Sequence, residues 1–142
     1  MSDNDVDKII KAYREALHAF VNGDPEPVTS LLSTRDDVTL ANPLRPPQRG
    51  RADVENTIRA AAANFHSGSI HFEEVSRVIT PDLSFVVQLE HTEGMLAGRD
   101  GVVRSSLRAT MIFRPEAGGW KVVHRHADPI TTERSITSIL AN

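Results

Sequence analysis

The sequence has no cysteine, contains few aromatic residues and shows no long apolar run. Without cysteine, the chain can neither form a disulfide nor use a thiolate as a nucleophile or metal ligand. No apolar run approaches the ~20 residues that a membrane-spanning helix needs. The acidic start, Met1–Asp5, lacks the basic and apolar regions of a signal peptide. We therefore expect a cytoplasmic protein that does not enter the membrane.

The chain also lacks an excess of charge of either sign. It carries 16 Lys and Arg against 19 Asp and Glu, which gives a net charge of -3. A domain that binds nucleic acid or an anionic membrane usually carries a basic excess or patch, so we expect neither partner. The length of 142 residues suits one domain. We expect that domain to span residues 1–142, with its core at about 5–129.

The first half of the chain has the spacing of helices. Apolar residues recur every three to four positions, and Gly23 and Pro25 mark a helix end and a helix start. A proline-rich loop with Arg45 and Arg49 precedes the last of these helices. The predicted elements are a helix at about Asp5–Asn22, a short helix capped by Asp24, a strand at Val38–Asn42 and a helix at about Arg51–Phe65.

In the second half the apolar period changes to two, which indicates strands. Short turns separate four of them, so we expect an antiparallel meander. The order of elements predicts an α+β fold, a cone-shaped curved antiparallel sheet wrapped around N-terminal helices. We expect a second copy to cover the outer side of the sheet in a homodimer. The predicted strands are Ile70–Ile79, Leu83–Glu93, Val102–Arg114 and Trp120–Pro129, followed by a weakly helical surface tail at Thr131–Leu140.

Three local motifs have a familiar order and spacing. They are Asn22-Gly23-Asp24, Asn42-Pro43 followed by Arg49-Gly50-Arg51, and the closing run Trp120–His126. Together they resemble the nuclear transport factor 2-like superfamily, in its SnoaL-like and ketosteroid-isomerase-like branch. The closing run is also similar to the association domain of calcium/calmodulin-dependent kinase II. The resemblance implies a curved sheet around helices, commonly in a dimer. Since this superfamily includes isomerases, cyclases, dehydratases, hydrolases and binding modules, function must be argued from the site.

The resemblance to ketosteroid isomerase implies three catalytic positions, and all three lack the required side chain. That mechanism uses an Asp base and an oxyanion hole of a Tyr and a protonated Asp. By motif, the base falls on Asn42, whose neutral amide cannot abstract a carbon-bound proton. The Tyr falls on Ala16, with Tyr13 one turn away, and the protonated Asp falls on Ala109. Steroid isomerisation is therefore disfavoured.

The last strand offers another set of acid–base groups. In a regular strand Trp120, Val122, His124, His126 and Asp128 share one face. We take His124, His126 and Asp128 as the candidate catalytic residues, because imidazole gives and takes protons near neutrality. These side chains have structural alternatives: the histidines can lie in a dimer face or hydrogen-bond a neighbouring strand, and Asp128 before Pro129 can open a turn.

The opposite register, with Val123, Arg125 and Ala127 inward, would favour a carboxylate ligand. His-x-His-x-Asp also resembles a metal site, but neighbouring side chains on one strand face diverge, and we expect neither metal nor cofactor. Arg45 and Arg49 are either solvated or an anion clamp. The residues expected to line the pocket are Tyr13, Leu17, Phe20, Asn42, Ile58, Phe65, Trp120 and Val122.

Two functions follow from this pattern. The first is a cofactor-free isomerase, cyclase or hydrolase that acts on a small, mostly apolar molecule by His/Asp acid–base chemistry. The alternative is a non-catalytic ligand-binding or association module, favoured by the missing Asp and Tyr. Both predict a small-molecule ligand, and the sequence does not identify it.

Overall fold

The computed structural model describes residues 3–141, which form three helices, a six-stranded sheet and a short C-terminal 3-10 turn at Ile136–Ile139. The predicted domain, 1–142, also includes residues 1, 2 and 142, which lie outside the described part. No helix in that part is both long and apolar enough to cross a membrane. The elements are α1 (Asp3–Phe20), α2 (Glu26–Ser30), β1 (Thr39–Ala41), β2 (Gln48–Arg49), α3 (Arg51–Ala62), β3 (Phe65–Val78), β4 (Ser84–Leu96), β5 (Val103–Glu116) and β6 (Gly119–Asp128).

The sheet is mixed, with the strand order β2-β1-β6-β5-β4-β3. Strands β3 to β6 form the predicted antiparallel meander. Strand β1 joins it by pairing parallel with β6, and β2 pairs antiparallel with β1 at the edge. The sheet is curved and does not close, and the helices lie on its inner face. The α+β cone is therefore confirmed, although the sheet is not purely antiparallel.

Helix α1 supplies the apolar stripe against which the sheet curves. Residues at helical spacing along it are at most 7% exposed. They belong to one hydrophobic core with inward side chains of β4, β5 and β6. Full burial of one such side chain contributes about 1.5–3 kcal/mol, so this stripe fixes the helix on the sheet. The stripe comprises Val6, Ile9, Ile10, Tyr13, Ala16 and Leu17.

The motifs that resemble the superfamily hold the fold together. The Asn22 amide donates to the Gly68 carbonyl at 2.9 Å and accepts from the Gly68 N–H at 3.1 Å, which ties the end of α1 to a bulge in β3. The Arg51 guanidinium donates to the carbonyls of Thr29 and Leu32, both at 2.9 Å. It thereby adds side-chain hydrogen bonds to backbone acceptors at the end of α2 and just after it, where helical hydrogen bonding ends.

A β-bulge divides the last strand. Ile112 pairs with His124, but its neighbour Phe113 pairs with Val122, so Val123 is an extra residue with no partner on β5. Successive residues face opposite sides of a strand, and an inserted residue exchanges the faces beyond it. Val122 therefore points to the inner face and His124 to the outer face. The prediction of one continuous face from Trp120 to Asp128 is wrong for this reason.

Candidate functional site

The centre of the inner face holds a buried ion pair. Arg125 donates to both oxygens of Glu90, at 2.9 and 2.6 Å. The Glu90 side chain is 2% exposed and that of Arg125 is 11% exposed. Gln88 donates to Glu90 at 2.9 Å, and Arg14 donates to Gln88 at 2.9 Å. The Arg125 guanidinium lies 5.9 Å from the ring centre of Tyr13 on α1.

This network keeps Glu90 ionised. Burial by itself raises the pKa of Glu90, but the charge and hydrogen bonds of Arg125, with the Gln88 amide, outweigh it and leave that pKa below its ordinary value. The carboxylate in turn raises the pKa of Arg125 despite burial. Burial also raises the pKa of Tyr13, so its phenol stays protonated at neutral pH. A carboxylate with a depressed pKa and occupied oxygens is a poor general base.

The three positions implied by ketosteroid isomerase, Ala16, Asn42 and Ala109, carry no ionisable side chain. Ala16 and Ala109 are each 2% exposed. Asn42 follows β1 and is half-buried. Tyr13, one turn from Ala16, is occupied by its contact with Arg125. The geometry therefore gives no support to that mechanism.

The three candidate catalytic residues lie together on the outer face. His124 Nδ1 is 2.7 Å from the Thr39 hydroxyl on β1. His126 Nε2 is 3.2 Å from one oxygen of Asp128, and Arg108 donates to the other oxygen at 2.6 Å. Cross-strand pairing places His126 opposite Thr110 and Asp128 opposite Arg108. The structure thus brings the three together, on the side of the sheet that faces away from α1.

The pKa shifts in this cluster indicate that the Asp128 carboxylate stays ionised and that the His124 imidazole is neutral. Burial favours a higher pKa for Asp128, but the hydrogen bond from Arg108 and the backbone N–H of Ile130 lower it overall. Burial, followed by the charge of His126, lowers the pKa of His124. The bond from Ile130, at 3.0 Å, also gives Asp128 the turn-opening role that its sequence suggested. A hollow of about 300 Å³ lies here, lined by Val87, Arg108, Ala109, Thr110, His126 and Asp128.

A larger hollow of about 490 Å³ lies at the end of the sheet where β4 turns into β5. Thr92 and Ser105 stand directly opposite each other in it. Thr92 follows Glu90 by two residues on the same side of β4, so the hollow adjoins the buried ion pair. No His, Asp or Glu is among its lining residues, which are Phe65, Thr92, Gly94, Leu96, Arg99, Val102, Val103, Arg104 and Ser105. We call it the β4–β5 hollow.

Close backbone packing shapes one wall of this hollow. Gly94 faces the bulged segment of β3, and a Cβ on Gly94 would lie 2.8 Å from the Cα of Gly68. A Cβ on Gly68 would lie 2.3 Å from the carbonyl oxygen of Val21. Both distances are too short for any side chain. Two glycines therefore let α1, β3 and β4 approach one another behind the hollow.

Of the eight residues predicted to line a pocket, one lines the β4–β5 hollow, five are buried in the core, and Phe20 and Asn42 line neither of the two hollows. Phe65 lines the β4–β5 hollow, and its ring lies 5.6 Å from that of Phe20. Five others are buried members of the core: Tyr13, Leu17, Ile58, Trp120 and Val122.

The structure also locates the polar groups of the residues that the sequence singled out. The Trp120 indole nitrogen is buried and has no hydrogen-bond partner within residues 3–141. Arg45 and Arg49 are exposed. The arginines that line the β4–β5 hollow are Arg99 and Arg104, and Arg108 lines the smaller hollow. Sequence reasoning missed Arg99, although the Gly94–Gly101 loop between two predicted strands was a signal for an open end of the sheet.

The described residues contain no group of three or more His, Asp or Glu that could hold a metal ion. His124, His126 and Asp128 share a face, but Asp128 is occupied by Arg108 and His124 by Thr39. Their arrangement is that of a hydrogen-bonded surface cluster.

Comparison with known proteins identifies the fold. The model of the SnoaL-like domain family matches residues 9–131. A structure from Streptomyces avermitilis, named as a dehydratase of the NTF2-like family, is 26% identical with a TM-score of 0.78, over 92% of this chain and 100% of that one. A structure from Thiobacillus denitrificans, named as a calcium/calmodulin-dependent protein kinase type II association domain, is 24% identical, with a TM-score of 0.70 over 85% of this chain and 91% of that one.

A ketosteroid isomerase-like protein from Erwinia carotovora is 18% identical, with a TM-score of 0.73 over 89% of this chain and 94% of that one. At 18% and 24% identity, two of these three likenesses concern the fold alone. A search of curated proteins finds no match.

Proposed function

Because this chain belongs to the SnoaL-like family, whose fold does not by itself determine function, we propose from its site that it is a non-catalytic binding module for a small, mostly apolar molecule. The observation that carries the proposal is the β4–β5 hollow. Its volume of about 490 Å³ lies within the usual range of small-molecule sites. Its walls are largely apolar, and they include Phe65, Leu96 and Val103.

The chemistry of the lining supports binding over catalysis. Acid–base catalysis needs a titratable group within hydrogen-bond reach of the substrate. The lining supplies two hydroxyls and two guanidiniums, which hold a ligand but do not exchange protons near neutral pH. Glu90, the nearest inward-facing carboxylate of β4, is bound by Arg125 on both oxygens. Glu93 faces outward and is bound by Arg104.

A pair of adjacent serines allows a matched test. Ser105 lines the hollow, whereas Ser106 bonds His91 at 2.8 Å on the other side of β5. Ser105→Trp should fill the hollow, and Ser106→Trp should leave it open. We would measure binding of 4-phenylbutan-1-ol by two-dimensional NMR. At about 0.3 kcal/mol per non-hydrogen atom, its Kd should be roughly a few millimolar.

We expect the alcohol to shift the amide signals of Gly94 and Val103 in the unmodified protein and in Ser106→Trp. Those shifts should disappear in Ser105→Trp. Binding that persists in Ser105→Trp, or shifts confined to other parts of the molecule, would refute the hollow as the binding site.

A second candidate function is acid–base catalysis in the outer hollow, favoured by the 3.2 Å approach of His126 to Asp128. The superfamily relative named as a dehydratase makes elimination the first reaction class to test. Any such activity should fall at least about 100-fold in His126→Ala. It should be unaffected by Ser105→Trp, which lies on the inner face. The opposite result for the two variants would assign the activity to the β4–β5 hollow.

A further inference from the structure

We infer that the ligand of the β4–β5 hollow is an organic anion, with its acidic group bound by Arg99 and its apolar body held against Phe65, Leu96 and Val103. This inference rests on the proposed binding function and adds the ligand's charge. It follows from which arginines line the hollow and from what they contact.

Arg99 lines the hollow without an ionic partner within residues 3–141. Most arginines of this chain pair with a carboxylate; Arg14, Arg51, Arg59 and Arg77 are examples. An arginine in the wall of a concave site has a free planar set of donors that fits a carboxylate or phosphate.

Arg104 can add a second contact. It donates to Glu93 at 2.9 and 3.1 Å, but the two side chains are 79% and 49% exposed. An ion pair so exposed contributes at most about 1 kcal/mol, so a ligand anion can compete with Glu93 for the guanidinium. Asp100 is the other acidic residue nearby, and neither it nor Glu93 lines the hollow.

The remaining lining fixes how such a ligand lies. The paired hydroxyls of Thr92 and Ser105 offer hydrogen bonds on the inner side. Phe65, Leu96 and Val103 form apolar walls. The loop that carries Arg99 is anchored, because the Ala97 N–H donates to the Asn64 carbonyl at 2.9 Å and the Arg99 N–H to the Leu96 carbonyl at 3.2 Å. The backbone of Arg99 is therefore anchored at the rim, from which its exposed side chain can reach a ligand whose apolar body lies against the walls.

The test compares 4-phenylbutyrate with 4-phenylbutan-1-ol, which have the same apolar body and differ in charge. We expect the carboxylate to bind at least about tenfold more tightly, the usual contribution of a charge-assisted hydrogen bond. Both should shift the amides of Gly94 and Val103. Arg99→Ala should remove the tenfold advantage, so that the carboxylate and the alcohol bind this variant with similar affinity. Arg45→Ala is the control, because Arg45 is an exposed arginine of another loop.

The possible results distinguish failure of the inferred ligand charge from failure of the proposed binding function. If the alcohol and the carboxylate bind the hollow equally well, the binding function stands and the inferred anion is wrong. If Arg45→Ala weakens the carboxylate as much as Arg99→Ala does, the effect is one of net charge and the inference also fails. If neither compound shifts the amides of the hollow, both proposals fail.

Discussion

Breaking the buried ion pair between Arg125 and Glu90 should destabilise the whole fold. Arg125→Met removes the cation and leaves Glu90, which is 2% exposed, with Gln88 as its remaining partner. Breaking a buried pair in this way lowers the free energy of unfolding by about 3–5 kcal/mol, because an unpaired charge stays buried. Arg104→Met is the matched control, since its pair with Glu93 is largely exposed and should contribute less than about 1 kcal/mol.

A double-mutant cycle isolates the interaction. Glu90→Gln keeps an acceptor for Gln88 but removes the negative charge. If the two charges are coupled as their distances of 2.6 and 2.9 Å indicate, Glu90→Gln/Arg125→Met should be more stable than Arg125→Met alone. The coupling energy from urea unfolding should be about 2–3 kcal/mol. Additive effects, or an Arg125→Met loss no larger than that of Arg104→Met, would refute a buried ion pair.

The pH dependence of the same variants has a defined sign. Because the folded pKa of Glu90 is lowered, its stabilisation is present above the unfolded pKa of about 4.3 and is lost as the pH falls through the folded value. In Arg125→Met, burial without the cation should raise that pKa. The stability gap between the two proteins should therefore be widest near pH 8 and narrow as the pH falls towards about 4.

Three further outcomes are expected. Gly68→Ala should lower the free energy of unfolding by about 1–3 kcal/mol, because its Cβ would lie 2.3 Å from the Val21 carbonyl oxygen. Gly118→Ala is the control and should be neutral, because no atom lies within 4 Å of the added Cβ. The folded pKa of His124 is lowered, so protonation of the unfolded chain below about pH 6.5 should reduce the stability of the fold. In His124→Ala the melting temperature should therefore decrease less between about pH 7 and pH 5. Sedimentation should show a dimer at micromolar concentration; a monomer throughout would refute the expected homodimer.

Local patterns predicted most of the fold because its elements obey local rules. The helical spacing from Val6 to Leu17 survives because that stripe is buried along its whole length. Strands β4, β5 and β6 were predicted close to their observed positions because short turns separate them. Strand β3 instead begins at Phe65, five residues before its predicted start, and α3 ends at Ala62 rather than at Phe65. The parallel pairing of β1 with β6 is different, since it joins Thr39 to His124 across most of the chain. No local pattern encodes that contact.

The inner polar network shows why the candidate site was harder to predict. Alternation along β4 makes Phe85, Val87 and Leu89 the apolar face, yet the side turned inward carries Val86, Gln88 and Glu90. Glu90 can be buried because Arg125 reaches it from β6, 35 residues along the chain. Its burial depends on a partner that a local reading of β4 does not contain.

The bulge at Val123 connects these two observations. An inserted residue in β6 places Val122 inside, turns Arg125 inside as well, and moves His124 to the opposite face. A regular strand would place Val122 and Arg125 on opposite faces. Both registers considered from the sequence are therefore half right, one before the bulge and one after it. Val123 is β-branched like many strand residues, so its side chain gives no sign that it is the extra one. The same insertion supplies the buried cation and removes the histidines from the inner face, which is why the inner site lacks acid–base groups near neutral pH.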